Sequence, residues 1–302
     1  MIGRAACAIA FASWLAASAS AIAADEPPLQ QLSGTLLKAR TSGVVTIAHR
    51  DSSIPFSFLS PRGEPIGYSV ELCRRLVEAM VEQLGRDLEI RWLSVTSENR
   101  MDAIASGRAD LECGSTTSNL ERAKRVAFSP VIFVSGTKLM VKRGSPIKSF
   151  RDLGGKTVVV TSGTTNEQAM RDLAKKFSVD YKLVVARDHA DSFARLAAGE
   201  VDAFATDEVL LYGLLAQNRA RGQYNVIGEP LSYDPYAIMY RRDDPQMRQL
   251  VNDAFRALAE DGEVQRQYKR WFLGRLPSGE RIDLPMSPQL DALVEDMASK
   301  VE

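Results

Sequence analysis

The stretch CGSTTSNLER, Cys113 to Arg122, gathers hydroxyls and one guanidinium just beyond a strand-like run. Ser115, Thr116 and Thr117 supply short donors and acceptors, and Arg122 supplies a fork that matches a carboxylate. Ser118-x-x-Glu121 has the form of a capping box opening a helix, whose free backbone N–H groups favour an anion. TSGTTNEQ, Thr161 to Gln168, repeats the grammar: strand-like KTVVV, a glycine turn, then Thr164-x-x-Glu167. Each turn taken alone reads equally well as an ordinary helix start. Further polar groups stand at junctions: Arg50 after GVVTIAH, Ser97 and Arg100 at one helical start, His189 at another, Asp207 after VDAFA. A single arginine or histidine in such a loop is usually solvated surface. Asp207 has two readings, a cap for the helix VLLYGLL or a receiver for an ammonium group. Convergence of His189, Asp207 and Glu208 leaves acid–base chemistry open. No G-x-S-x-G, H-E-x-x-H, Walker loop or dinucleotide fingerprint occurs.

These residues need strands and helices to hold them. GVVTIAH reads as a buried strand, Tyr68 to Leu84 as a helix with apolar residues at helical spacing stopped by Gly85, and LEIRWLSV as the next strand. The alternation predicts α/β layers with mostly parallel strands. SENRMDAIASGRADLECGST (Ser97 to Thr116) and HADSFARLAAGEVDAFATDE (His189 to Glu208) echo each other at an offset of 92 residues, with Gly107 opposite Gly199 and Asp110 opposite Asp202. Two similar lobes produce such an echo, although two unrelated helix–glycine–strand units can as well. Ligands of open α/β sheets bind beyond the carboxyl ends of the strands. Val131 to Gly144 and Val226 to Arg242 are long β-like runs suited to crossing between lobes. They divide the chain into a first lobe of 35–134 plus 232–302 and a second of 135–231, able to hinge about two strands.

Lys+Arg and Asp+Glu are equal at 38 each, so no global field recruits nucleic acid or an anionic membrane. Three cysteines and two histidines leave little for metal ligation, and no metal or cofactor is expected. The first 24 residues carry Arg4, an apolar middle and a small-residue end, the pattern of a secretory signal peptide cut after Ala23 or Ala24. A membrane anchor is the alternative, disfavoured by a short apolar part rich in Ser and Ala. Asp25 to Gly34 reads as a polar leader. Export permits a bridge between Cys73 and Cys113, but one lies in a helical pattern and the other at a strand end, which favours two buried free thiols. Pro285 to Glu302 holds an amphipathic helix that packs on the first lobe or frays.

In HRDSSIPFSF, TSENR, LECGSTTSNLER, VVVTSGTTNE, ARDHADSF and the aspartate of TDEVLL, the chain resembles the family 3 solute-binding proteins of bacterial ABC amino-acid importers, most closely those for glutamate and aspartate. The resemblance covers about residues 35 to 275. It implies a two-lobe periplasmic binding protein of type II with two crossover strands at the hinge, monomeric and non-enzymatic. It also implies an acidic amino-acid ligand and an inner-membrane permease as partner. By that resemblance Arg122, Thr165 and Ser115 hold the α-carboxylate. Asp207, with Ser115 and Thr117, receives the α-ammonium, while Arg50, Arg100, Ser97 and His189 surround the side-chain carboxylate. Three arginines against one aspartate suit a ligand with two negative charges and one positive. A dehydratase-type enzyme on the same fold and a ligand-sensing module are the alternatives.

Overall fold

The structure, a computed structural model, describes residues 31–299. The expected signal peptide and residues 25–30 of the leader lie outside these residues. Among the described residues no helix is long and apolar enough to cross a membrane.

Two five-stranded sheets share one plan. In the first, Val44–His49 lies between Glu89–Ser94 and Leu111–Glu112, parallel to both. Met239–Arg241 then runs antiparallel beside Leu111–Glu112 and pairs with Val126–Phe128 at the edge. In the second, Thr157–Thr161 lies between Lys182–Ala186 and Ala203–Asp207, again parallel. Thr137–Lys142 follows antiparallel and pairs with Tyr224–Ile227. Helices pack on the sheets, and the strands flanked by parallel neighbours, Val44–His49 and Thr157–Thr161, are accordingly buried Val- and Ile-rich runs rather than alternating ones.

The echo has a structural cause. Asp110 and Asp202 each accept the backbone N–H of a central-strand residue, Thr46 at 2.8 Å and Thr157 at 2.7 Å. Each also donates its own N–H to that residue's carbonyl at 2.8 Å. The repeated aspartates therefore start strand pairing and take no part in ligand chemistry. Gly107 and Gly199 precede them with φ of 74° and 79°, the left-handed turn that ends each preceding helix.

The two long β-like runs both break. The outgoing one becomes Phe133–Ser135 and Thr137–Lys142, the returning one Asp234–Tyr236 and Met239–Arg241. Phe133–Ser135 pairs antiparallel with Asp234–Tyr236, so the two connections form a ribbon between the sheets. Phe133, Tyr236, Phe56 and Phe272 pack around this ribbon with ring centroids 4.9–5.9 Å apart.

Three elements differ from the sequence-based expectation. Gly34–Ser42 is a helix. Its polar sequence buries only Thr35, Leu36 and Ala39, which hides the periodicity. The helix expected after Ser118 is a single 3-10 turn, Arg122–Lys124, and Ser118 caps nothing there; Asn119 Oδ1 accepts the Arg122 N–H at 2.9 Å instead. Third, Cys73 and Cys113 are joined in a disulfide with Cα atoms 6.3 Å apart, correcting the expectation of free thiols. Their membership of a helix and a strand did not separate them. Tyr68–Leu84 lies across the sheet, and Cys73 is on the buried stripe that faces the end of Leu111–Glu112.

The bridge spans 40 residues. A loop of that length is stabilised by about 4 kcal/mol in the chain-entropy account. Reduction of the purified protein is expected to lower its melting temperature by several degrees, with the Cys73→Ala/Cys113→Ala double variant matching the reduced form. An unchanged melting temperature contradicts this. The C-terminal helix Pro288–Ser299 packs on Pro245–Glu260 of the first lobe, with Leu290, Val294 and Met297 buried.

Candidate functional site

Every expected site residue except Arg122 stands at the carboxyl end of a parallel strand or in the loop or first helical residue that follows it. Arg50 follows Val44–His49, Ser97 and Arg100 follow Glu89–Ser94, and Ser115 and Thr117 follow Leu111–Glu112. Thr165 begins the helix after Thr157–Thr161, His189 the helix after Lys182–Ala186, and Asp207 closes Ala203–Asp207. The two sheets turn these ends toward each other. Ser97, Arg100, Ser115, Thr117, Thr165, His189 and Asp207 line one small cavity. Arg50 and Arg122 stand in its surroundings and not in its lining.

The lobes are closed on one another. Arg122 donates from Nη2 to the Gly163 carbonyl at 3.3 Å, and from Nη1 to the Thr117 carbonyl at 2.9 Å. Ser162 Oγ donates to Glu98 at 3.1 Å. Gly163, with φ 70°, lies so near that a Cβ there would come within 2.7 Å of the Glu98 Cα. A side chain at this position blocks closure.

The basic side chains are desolvated. Arg50 is 1% exposed, Arg100 2% and His189 1%. Burial, and after it the neighbouring Arg100 charge, lowers the Arg50 pKa to about 9 and that of Arg122 to about 10. Arg100 is itself lowered by burial. Both Nη atoms of Arg50, Nε of Arg100 and Oγ of Ser97 find no hydrogen-bond partner among the described residues. Such buried donors suit an anion. His189 is pushed well below its ordinary value by burial and then by Arg50 and Arg100, and its Nδ1 is 2.9 Å from Thr161 Oγ1. A neutral imidazole results.

At the other end of the cavity lies an acidic corner. Asp207 occupies the cap position of Glu208–Gln217 but caps nothing. Its Oδ1 accepts from Asn166 Nδ2 at 2.9 Å and its Oδ2 from the Tyr236 hydroxyl. Burial, then the neighbouring Asp234, raises its pKa to about 8. Thr117 and Thr165 both donate to Asp234 Oδ1, at 3.1 and 2.7 Å. Glu208 faces elsewhere and pairs with Lys138 at 2.8 Å.

Four residues of this site escaped the sequence reading: Glu112, Asn166, Asp234 and Tyr236. Glu112 and Asn166 lie inside the runs LECGST and TTNEQ, whose hydroxyls drew attention first. Asp234 and Tyr236 belong to the returning crossover, read only as a connector. The charge balance is consequently not three against one. Glu112 is fully buried, takes a hydrogen bond from Thr116 Oγ1 at 2.7 Å, and favours the charge on all three arginines.

Guanidiniums and carboxylates brought together around one cavity suit a zwitterion. The model of the bacterial extracellular solute-binding proteins, family 3, matches residues 45–274. The chain belongs to that family. Among curated family 3 proteins, it is 36% identical to the glutamate/aspartate import solute-binding protein of Escherichia coli (strain K12), over 95% of each chain. It is 39% identical to the L-glutamate/L-aspartate-binding protein of Pseudomonas aeruginosa, over 89% of this chain and 90% of that one. Among solved structures it is similar to an ancestral amino acid-binding protein that is a precursor of cyclohexadienyl dehydratase. The TM-score is 0.69 and the identity 26%, covering 79% of this chain and all of that one.

Proposed function

We propose that this family 3 solute-binding protein captures glutamate or aspartate between its lobes and presents it to the membrane permease of an ABC importer. The observation that carries the reading is the pair of buried guanidiniums, Arg50 and Arg100, of which both Nη atoms of Arg50 and Nε of Arg100 lack partners among the described residues. Arg122, Thr165 and Ser115 address the α-carboxylate. Asp207 addresses the α-ammonium, with Ser115 and Thr117 beside it. Arg100, Ser97 and His189, backed by Arg50, address the side-chain carboxylate. Asp234 and Glu112 offset part of the arginine charge. The lobes are 35–134 plus 232–302 and 135–231, hinged at the crossover ribbon. Residues 1–24 export the chain to the periplasm, where it acts as a monomer without a cofactor or catalysis.

Specificity follows from desolvation. An amino acid without a side-chain carboxylate leaves Arg100 buried and unpaired, at a cost of roughly 2–5 kcal/mol. A dehydratase on the same fold is the second reading, drawn from the likeness to a dehydratase precursor. Against it, the cavity lining contains no Phe, Tyr or Trp ring to hold a cyclic substrate.

A thermal-shift panel of the twenty amino acids tests the function. Glutamate and aspartate at a thousandfold above their Kd are expected to raise the melting temperature by roughly 5–15 °C. Glutamine gives a smaller shift and the basic amino acids none. A larger shift with any neutral or basic amino acid overturns the assignment.

A further inference from the structure

A neutral imidazole can offer a ligand either a donor or a lone pair. One ring nitrogen carries the proton and the other accepts, and the partner of one nitrogen decides the state of the other. A backbone carbonyl at Nδ1 holds the proton there and leaves Nε2 bare, which repels a carboxylate. His189 is held differently. Its Nδ1 lies 2.9 Å from the Thr161 hydroxyl, and its Nε2 has no hydrogen bond to the protein among the described residues. The ring lines the cavity together with Ser97 and Arg100.

Thr161 Oγ1 lies in turn 2.9 Å from Ser192 Oγ. Thr161 closes the strand Thr157–Thr161, Ser192 belongs to the helix His189–Ala198, and both are completely buried. Ser192, Thr161 and His189 thus form a row that protons can fill in two directions. Running outward, Nδ1–H donates to Thr161, Thr161 to Ser192, and Ser192 to the Asp188 carbonyl at 3.1 Å. Running inward, Ser192 donates to Thr161 and Thr161 to Nδ1, and the ring's own proton stays on Nε2. The inward order orphans no backbone group, because the Asp188 carbonyl keeps the Ser192 N–H at 3.0 Å. An anion facing Nε2 selects the inward order, in which it gains a donor. His189 is also the first residue of its helix, whose N-terminal end disfavours a cationic ring. A donor at Nε2 therefore requires that Nδ1 accept.

We infer that Thr161, backed by Ser192, is a positioning residue for acidic ligands: its hydroxyl donates to Nδ1 of His189 and so presents Nε2–H to the side-chain carboxylate. The inference rests on the glutamate/aspartate reading above, which places His189 at that carboxylate. Thr161 is absent from the cavity lining and acts only through the ring. Glutamine makes no such demand on the ring, since its amide offers an oxygen to Nε2–H and an N–H to a bare Nε2.

Nitrogen NMR on isotope-labelled histidine is the direct test. The chain has two histidines, His49 and His189, and the His49→Gln variant assigns their signals. In the glutamate complex, Nε2 of His189 is expected to carry the proton and Nδ1 to show the shift of an unprotonated nitrogen. Calorimetry supplies the second readout. Thr161→Val keeps the shape but removes the hydroxyl, and is expected to weaken glutamate and aspartate about tenfold or more, with glutamine changed less than about threefold. Thr161→Ser keeps the hydroxyl and is expected to hold glutamate within about threefold of the wild type. A proton on Nδ1 in the glutamate complex overturns the inference, and that spectrum decides even where a variant fails to fold. Equal losses for glutamate and glutamine in Thr161→Val, or a loss that Thr161→Ser does not relieve, overturn it as well. Failure of glutamate to bind the wild type refutes instead the assignment on which the inference stands.

Discussion

Replacing Asp207 by alanine weakens glutamate and aspartate binding alike by about 30- to 5,000-fold, read by titration calorimetry. The loss is shared because the proposed assignment gives Asp207 the α-ammonium, a group that every α-amino acid carries. Its carboxylate is held by Asn166 and Tyr236 and cannot turn away to cap Glu208–Gln217. Arg122→Ala acts on the other shared group and shows the same lack of discrimination. The raised pKa of Asp207, about 8, gives this corner a proton signature. Its folded value lies above that of the unfolded chain, so the native state holds a proton that the unfolded state has lost at pH 7. That contribution to stability is present at acid pH and is lost as pH rises through about 8. An ammonium at Asp207 favours the ionised form. Glutamate binding near pH 7 therefore releases about one proton, measured in buffers of different ionisation enthalpy. Release of none contradicts this description of the acidic corner.

Arg100→Met is the second large effect, and it discriminates. Glutamate and aspartate lose about 30- to 5,000-fold in affinity, while weak binding of neutral amino acids is retained. Arg100 is 2% exposed and lowers the pKa of both other arginines. Its removal therefore eliminates the cation that acts on both others. Glu112, fully buried against the same three arginines, then loses one of its counter-charges, and the unliganded variant melts lower than the wild type. Equal losses for glutamate and glutamine contradict the assignment of Arg100 to the side chain.

Much of this architecture is legible because repetition is cheap to recognise. Gly107 with Asp110 and Gly199 with Asp202 mark the same helix end and strand start in each sheet. Their spacing in the sequence points to two similar lobes, with two unrelated helix–glycine–strand units as the alternative. The hydroxyl and guanidinium groups at strand ends were legible for a related reason, since short polar residues stop helices and strands at predictable places. Pairings across the fold were not. Nothing local to Cys73 says that its helix lies over Cys113. Asp234 and Tyr236 reach the cleft only because the returning crossover folds back beside Phe133–Ser135. Glu112 was hidden by its setting in a strand, where a buried carboxylate is intelligible only once the arginines around it are seen. Local grammar predicted an extra helix at Ser118, where Asn119 and a 3-10 turn prevail.

Titration calorimetry of the mature, export-processed chain with glutamate and aspartate tests the central claim most directly. Saturable one-to-one binding well below millimolar, with glutamine far weaker, is the expected result. No heat from either acidic amino acid below millimolar, or a tighter fit for glutamine, contradicts the claim that Arg50 and Arg100 are buried to meet a side-chain carboxylate.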